Sequence, residues 1–271
     1  MRYSTRTRFP GFASVGPLPP GVKWLLIANV AVYLVYFFAA LSETAIANIF
    51  ANMQLVPAQF WHGYLWQPVT YMFLHAVQSP MHLVFNMLML WMFGSPLEQT
   101  WGTEKFLKYY FLCGIAAGLC VVVVNSLLGP PYNHYATIGA SGALFGLLLA
   151  FGVLFADTIV MFSFLFPIKA KYMVMIMGAL EFLFVCMGVN NGVSNVAHLG
   201  GMAFGYAYLK APQFAGQRSG SGGYYGASRG RKTSLLASWR EWYKEYKLKR
   251  ARRKFQVYMR KHENDRNRFV N

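Results

Sequence analysis

Six apolar runs, at about 24–42, 79–97, 106–128, 139–156, 171–188 and 196–209, organise the chain, and the polar positions fall between them. Each run is long enough to cross a hydrocarbon core of about 30 Å as a helix, the shortest only in a thinned or protein-lined region. The pattern predicts an all-α membrane protein with six transmembrane helices. Ser79-Pro80 reads as an N-cap followed by proline in the first helical position, which marks the start of the second run.

The charges give the pattern a direction. Arg2, Arg6, Arg8 and Lys23 precede the first run, Lys105 and Lys108 separate the second and third, and Lys169 and Lys171 separate the fourth and fifth. The other seventeen of the 25 lysines and arginines begin at Lys210. The alternate loops, about 43–78, 129–138 and 189–195, contain none. Both termini are therefore expected on the cytoplasmic side. Composition agrees: 56% of residues are hydrophobic, 13% are charged and the mean hydropathy is +0.33. The net charge of +16 reflects topology and a basic tail and calls for no nucleic acid. The first apolar run is long for a signal peptide, so a retained span is expected. Cys113, Cys120 and Cys186 lie within runs and read as buried small hydrophobes, not a disulfide framework.

The outward loop 43–78 is itself apolar and carries Phe60, Trp61, Tyr64 and Trp66, residues suited to a membrane–water boundary. Short helices lying in the outer leaflet are expected there. Small residues one turn apart, Gly142/Gly146 and Gly201/Gly205, let the fourth and sixth spans approach closely. The similar Gly114/Gly118 pair on the third span reads as the ordinary frequency of glycine in such helices. These boundaries divide the chain into a cytoplasmic segment 1–22, a six-span domain 23–210, a Gly/Ser/Tyr-rich linker 211–232 and a basic tail 233–271. Ser238 and Glu241 have capping-box spacing, and the tail suits either an amphipathic helix on anionic lipid or a solvated segment.

Polar groups inside apolar runs are costly and ask for a reason. Ser141 lies between glycines at the start of the fourth run, about fifteen residues or roughly 23 Å from its inner end. His198 begins the sixth, about eleven residues or roughly 17 Å from its inner end. An imidazole is the usual activator of a serine nucleophile. His82 and Asn86 share one face of the second span, where they suit either an oxyanion hole or hydrogen bonds between helices. With His75, these groups occupy one outward depth. No carboxylate completes a triad in this reading: Asp157 is about 24 Å along the helix from Ser141, Glu43 ends the first span, and Glu181, deep in the fifth, suits a protonated structural acid with no role assigned. A Ser–His dyad is the more economical arrangement, and no cofactor or metal is expected.

Over about residues 20–210 the chain resembles the rhomboid intramembrane serine proteases. The resemblance rests on Trp66, His75, His82-Leu-Val-Phe-Asn86-Met, Gly139-Ala-Ser141-Gly142, Ala197-His198-Leu-Gly200-Gly201 and Gly205. It implies Ser141 as nucleophile, His198 as general base and then acid, and Asn86, His82 and the Ser141 N–H as oxyanion donors. It also implies single-span membrane-protein substrates, cut near the outer end in helices that unwind easily. Two positions depart from the pattern: Gln67 stands where the family often has arginine, and Phe145 where some members have tyrosine. The expected setting is a bacterial inner membrane, with the site opening to the non-cytoplasmic side. The alternatives are a catalytically silent, client-binding relative and an unrelated channel or transporter. The first usually lacks the serine or the histidine, and the second would need polar groups in the inner halves of the spans.

Overall fold

The computed structural model describes residues 18–41, 45–162, 166–187 and 193–210. The linker, the basic tail and the capping-box pair lie outside these residues. In order, the helices are α1 (Pro20–Leu41), α2 (Ala45–Met53), α3 (Pro57–Trp61), α4 (Gln67–Thr70), α5 (Pro80–Met89), α6 (Ser95–Trp101), α7 (Thr103–Leu128), α8 (Ser141–Leu154), α9 (Ala170–Met187) and α10 (Val193–Lys210). Among the described residues, α1, α7 and α9 are long and apolar enough to cross a membrane, and α8 is a shorter apolar helix of 14 residues.

The second apolar run is not one regular helix. A π-helical turn, Leu90–Gly94, joins α5 to α6. Helix α5 begins at Pro80 as expected, but the Ser79 hydroxyl caps nothing; its carbonyl accepts the His82 N–H at 2.9 Å instead. The all-α expectation fails between α8 and α9, where β1 (Ile159–Phe162) and β2 (Phe166–Lys169) form an antiparallel hairpin with Ile159 opposite Lys169. Asp157 at its base is exposed and pairs with Lys171 at 2.9 Å and Lys169 at 3.2 Å. Those ammonium groups hold its carboxyl below the usual range.

The loop between the first two apolar runs forms the short helices α2, α3 and α4, as expected. Gln67, at the position noted for arginine, is fully buried and ties them together. Its Oε1 accepts the Val56 N–H at 3.1 Å, and its Nε2 donates to Gln59 Oε1 at 2.8 Å and to the Asn52 carbonyl at 3.3 Å. A neutral amide can both accept and donate, which arginine cannot, and all three partners suit it.

Glu98 fixes one end of α1. Its two carboxylate oxygens accept the N–H groups of Gly21 and Val22, each at 2.7 Å, and Thr103 Oγ1 donates to Oε1 at 2.6 Å. A helix start has free N–H groups and a positive dipole end, so a buried carboxylate is stabilised there. A Cβ at Gly21 would lie 3.0 Å from both oxygens, which explains the glycine.

Helices α7, α8 and α10 pack on one another through small residues. A Cβ on Gly201 would collide with the Gly142 carbonyl oxygen, so the α8 and α10 backbones touch. Gly146 faces Cys113 of α7, where a Cβ would come within 2.6 Å of the cysteine Cβ and Sγ. The α7 glycines, put down to frequency in the sequence, also serve packing: Gly114 receives the end of Met72, and a Cβ on Gly118 would meet the Tyr71 ring at 2.9 Å. Buried tyrosines brace the contacts, Tyr71 donating to the Gly114 carbonyl at 2.7 Å and Tyr109 to that of Gly146 at 2.9 Å.

Candidate active site

Ser141 is the first residue of α8, and the segment before it is anchored at two points. Thr137 pairs with Leu55 through two backbone hydrogen bonds, of 2.8 and 3.0 Å, and the Gly139 N–H donates to the Tyr71 carbonyl at 2.9 Å. Gly139 has φ +119°, which an L side chain rarely adopts. A Cβ there would also lie 2.9 Å from His82 Nε2 and 3.9 Å from Ser141 Oγ. The glycine therefore lets the His82 ring come close to the serine. The N–H groups of the first α8 turn have no partner within the helix, and the positive end of its dipole lies at Ser141.

Helix α10 carries His198 against this point. Its Nε2 lies 2.8 Å from Ser141 Oγ. The imidazole stacks on Phe145, with ring centroids 4.1 Å apart and planes 11° from parallel. Phenylalanine at this position thus keeps the stacking face without a hydroxyl.

His82 and Asn86 occupy the facing turn of α5. Asn86 is buried, and its Nδ2 donates to the His82 carbonyl at 2.6 Å. Its Oδ1 has no hydrogen-bond partner among the described residues. The amide keeps one N–H beyond that intrahelical bond. His75 packs edge-on against His82 at 5.1 Å. Burial, with His82 beside it, pushes His75 down to about 4, so it supports its neighbour as a neutral ring. All the polar groups placed at one depth from the sequence are described: Ser141 and His198 are in direct contact, His82 borders them across Gly139, and Asn86 and His75 flank His82.

One group to which the sequence assigns no role also reaches His198. Glu181 of α9 is buried, and its Oε2 lies 3.0 Å from His198 Nδ1. The Nδ1 position is close but off the line of a formed hydrogen bond. Asn195, one turn before His198 on α10, donates from Nδ2 to the same oxygen at 2.6 Å. The signal was available. Glu181 is about ten residues, roughly 15 Å, from the inner end of its run, close to the depth of His198. An acid inside an apolar span needs a partner at its own depth.

Similarity to known proteins identifies the family. Residues 62–211 match the Rhomboid domain. The chain is 33% identical over 228 residues to the mitochondrial Rhomboid-like protein 14 of Arabidopsis thaliana, covering 82% of this chain and 63% of that protein. It is 29% identical over 207 residues to Rhomboid protease AarA of Providencia stuartii, 69% of this chain and 72% of the relative. It is 30% identical over 206 residues to Rhomboid-like protease 3 of Toxoplasma gondii, 75% and 72% respectively. Relatives named as proteases, together with the apolar helices, support an integral membrane protein of a protease family. The chain belongs to the rhomboid family.

Proposed function

We propose that the protein is an intramembrane serine endopeptidase that hydrolyses peptide bonds in or near the transmembrane segments of single-span membrane proteins. The observation that carries this reading is the 2.8 Å approach of His198 Nε2 to Ser141 Oγ at the start of a helix. In this mechanism Ser141 Oγ attacks the scissile carbonyl carbon while its proton passes to His198 Nε2. The tetrahedral oxyanion is stabilised by the Ser141 N–H, His82 and Asn86. Collapse breaks the C–N bond, and Nε2–H delivers the proton to the leaving amine. Water, deprotonated by the same imidazole, then cleaves the acyl ester and restores the serine.

Topology belongs to the same proposal. The alternation of basic loops supports six spans within 23–210, both termini cytoplasmic, with 1–22, 211–232 and 233–271 outside the catalytic domain. On that topology the site opens to the non-cytoplasmic side. A bacterial inner membrane is the first assignment, and the mitochondrial names among the relatives favour a mitochondrial membrane as the second.

A serine-directed fluorophosphonate tests the chemistry. The purified protein in detergent should be labelled and should cleave a single-span substrate, and Ser141→Ala should do neither. Labelling that survives this substitution refutes Ser141 as the nucleophile. A protein that binds single-span clients without labelling or cleavage is the silent relative instead.

A further inference from the structure

The dyad reading leaves a buried acid unexplained. Glu181 lies within an apolar helix, where an unpaired carboxylate is strongly disfavoured. Its Oε2 meets two groups, the Asn195 amide and the Nδ1 face of His198, the latter on the ring edge opposite Ser141. Helices α8, α9 and α10 thus bring serine, acid and imidazole into one cluster.

Phe145 fixes the plane of the His198 ring by stacking on it, but stacking alone does not decide which nitrogen carries the proton. The base function needs an unprotonated Nε2, and the partner of Nδ1 settles the matter. A carboxylate can only accept, so it selects the Nδ1–H tautomer and leaves the Nε2 lone pair toward Ser141 Oγ. It also stabilises the imidazolium that forms when the serine proton is transferred. Hydrogen bonds of this kind are often long or poorly aligned before substrate binds, which suits the 3.0 Å, off-line approach seen here.

We infer that Glu181, held by Asn195, is a positioning residue for His198: it sets the imidazole tautomer and stabilises its charged form. This inference rests on the dyad reading above. In wild-type protein labelled with ¹⁵N-histidine and brought to a pH at which the ring is neutral, the His198 signal, identified by its loss in His198→Ala, should show the proton on Nδ1. Glu181→Gln places an amide donor against Nδ1 and favours the wrong tautomer. We expect kcat to fall at least about 100-fold with KM changed less than about threefold, since the amide replacement of such a carboxylate is severe in serine proteases. Asn195→Ala, which only loosens the acid, should lower kcat by a smaller factor of about 3–10, in keeping with one indirect hydrogen bond.

A folded Glu181→Gln protein with wild-type kcat overturns the inference and leaves the dyad standing. So does a wild-type neutral His198 protonated on Nε2. If Glu181→Gln fails to fold, the wild-type spectrum and Asn195→Ala decide, and wild-type kcat in Asn195→Ala then counts against it. A wild-type protein that neither labels with fluorophosphonate nor cleaves substrate overturns the dyad, and this inference falls with it.

Discussion

Ser141 Oγ and His198 Nε2 stand 2.8 Å apart although 57 residues separate them in the chain. Helix α8 presents one and α10 the other, and the contact between the two backbones at Gly142 and Gly201 sets their distance. If the pair works as one unit, Ser141→Ala, His198→Ala and the double variant should have similarly low residual activity. All three should stay folded, since neither side chain is a large packing element. Near-normal turnover by His198→Ala in detergent would remove the histidine from the mechanism.

The close approach itself can be tested at Gly201. An added methyl would collide with the Gly142 carbonyl, and neither backbone can yield without moving a helix. Gly201→Ala is expected to destabilise by about 1–3 kcal/mol or more and to lower kcat by separating Ser141 from His198. Gly178→Ala is the control. Its Cβ would meet only the flexible end of Met202, at 3.2 Å, so thermal stability and kcat should change little.

Asn86 discriminates an oxyanion donor from an interhelical tie. Removing one such donor lowers kcat by about 10²–10³, and the backbone N–H groups at the α8 start compensate in part. Asn86→Ala should therefore lower kcat more than it raises KM, and less than Ser141→Ala does. A variant whose only change is a lower Tm would make Asn86 a structural residue.

Gln67 should show the reverse profile. Gln67→Ala leaves the buried Val56 N–H without its acceptor and removes one partner of the Gln59 side chain and of the Asn52 carbonyl, which keeps the Trp66 indole N–H. A buried N–H so orphaned costs about 1–3 kcal/mol. A lowered Tm with little change in kcat is expected, by thermal unfolding and steady-state assay of one preparation.

The residues after Lys210 offer a separate test. All the proposed chemistry precedes them, so truncation after residue 212 should leave hydrolysis in neutral detergent largely intact. Each lysine or arginine near an anionic leaflet contributes about 1 kcal/mol of attraction, screened by salt. The truncated protein should thus differ more from the full chain in anionic liposomes than in detergent. A folded but inactive truncation in detergent would make the tail part of the catalytic unit.

Much of the site was legible because membrane burial makes polar residues conspicuous. Ser141, His198, His82 and Asn86 stood out against apolar runs, and helical rise placed them at one depth. Glu181 was visible in the same way but was set aside, since sequence spacing alone does not say that α9 turns the acid toward α10. The hairpin of Ile159–Phe162 and Phe166–Lys169 was hidden for another reason: Phe162, Phe164 and Phe166 continue the apolar pattern between two spans, and no turn dipeptide marks the reversal. Gly114 and Gly118 look incidental in the sequence because their partners, Met72 and Tyr71, belong to the loop 43–78, which carries no register of its own. Glu98 drew no attention either, because its ligands are main-chain N–H groups of Gly21 and Val22, and backbone has no sequence signature.

That last contact bears on how the chain is assembled. The start of the first helix is completed by a side chain that leaves the ribosome 77 residues after Gly21. Until Glu98 arrives, two N–H groups at that end must be satisfied by water or lipid headgroups. The first helix can therefore form early, but its start is completed only once the end of the second apolar run lies beside it.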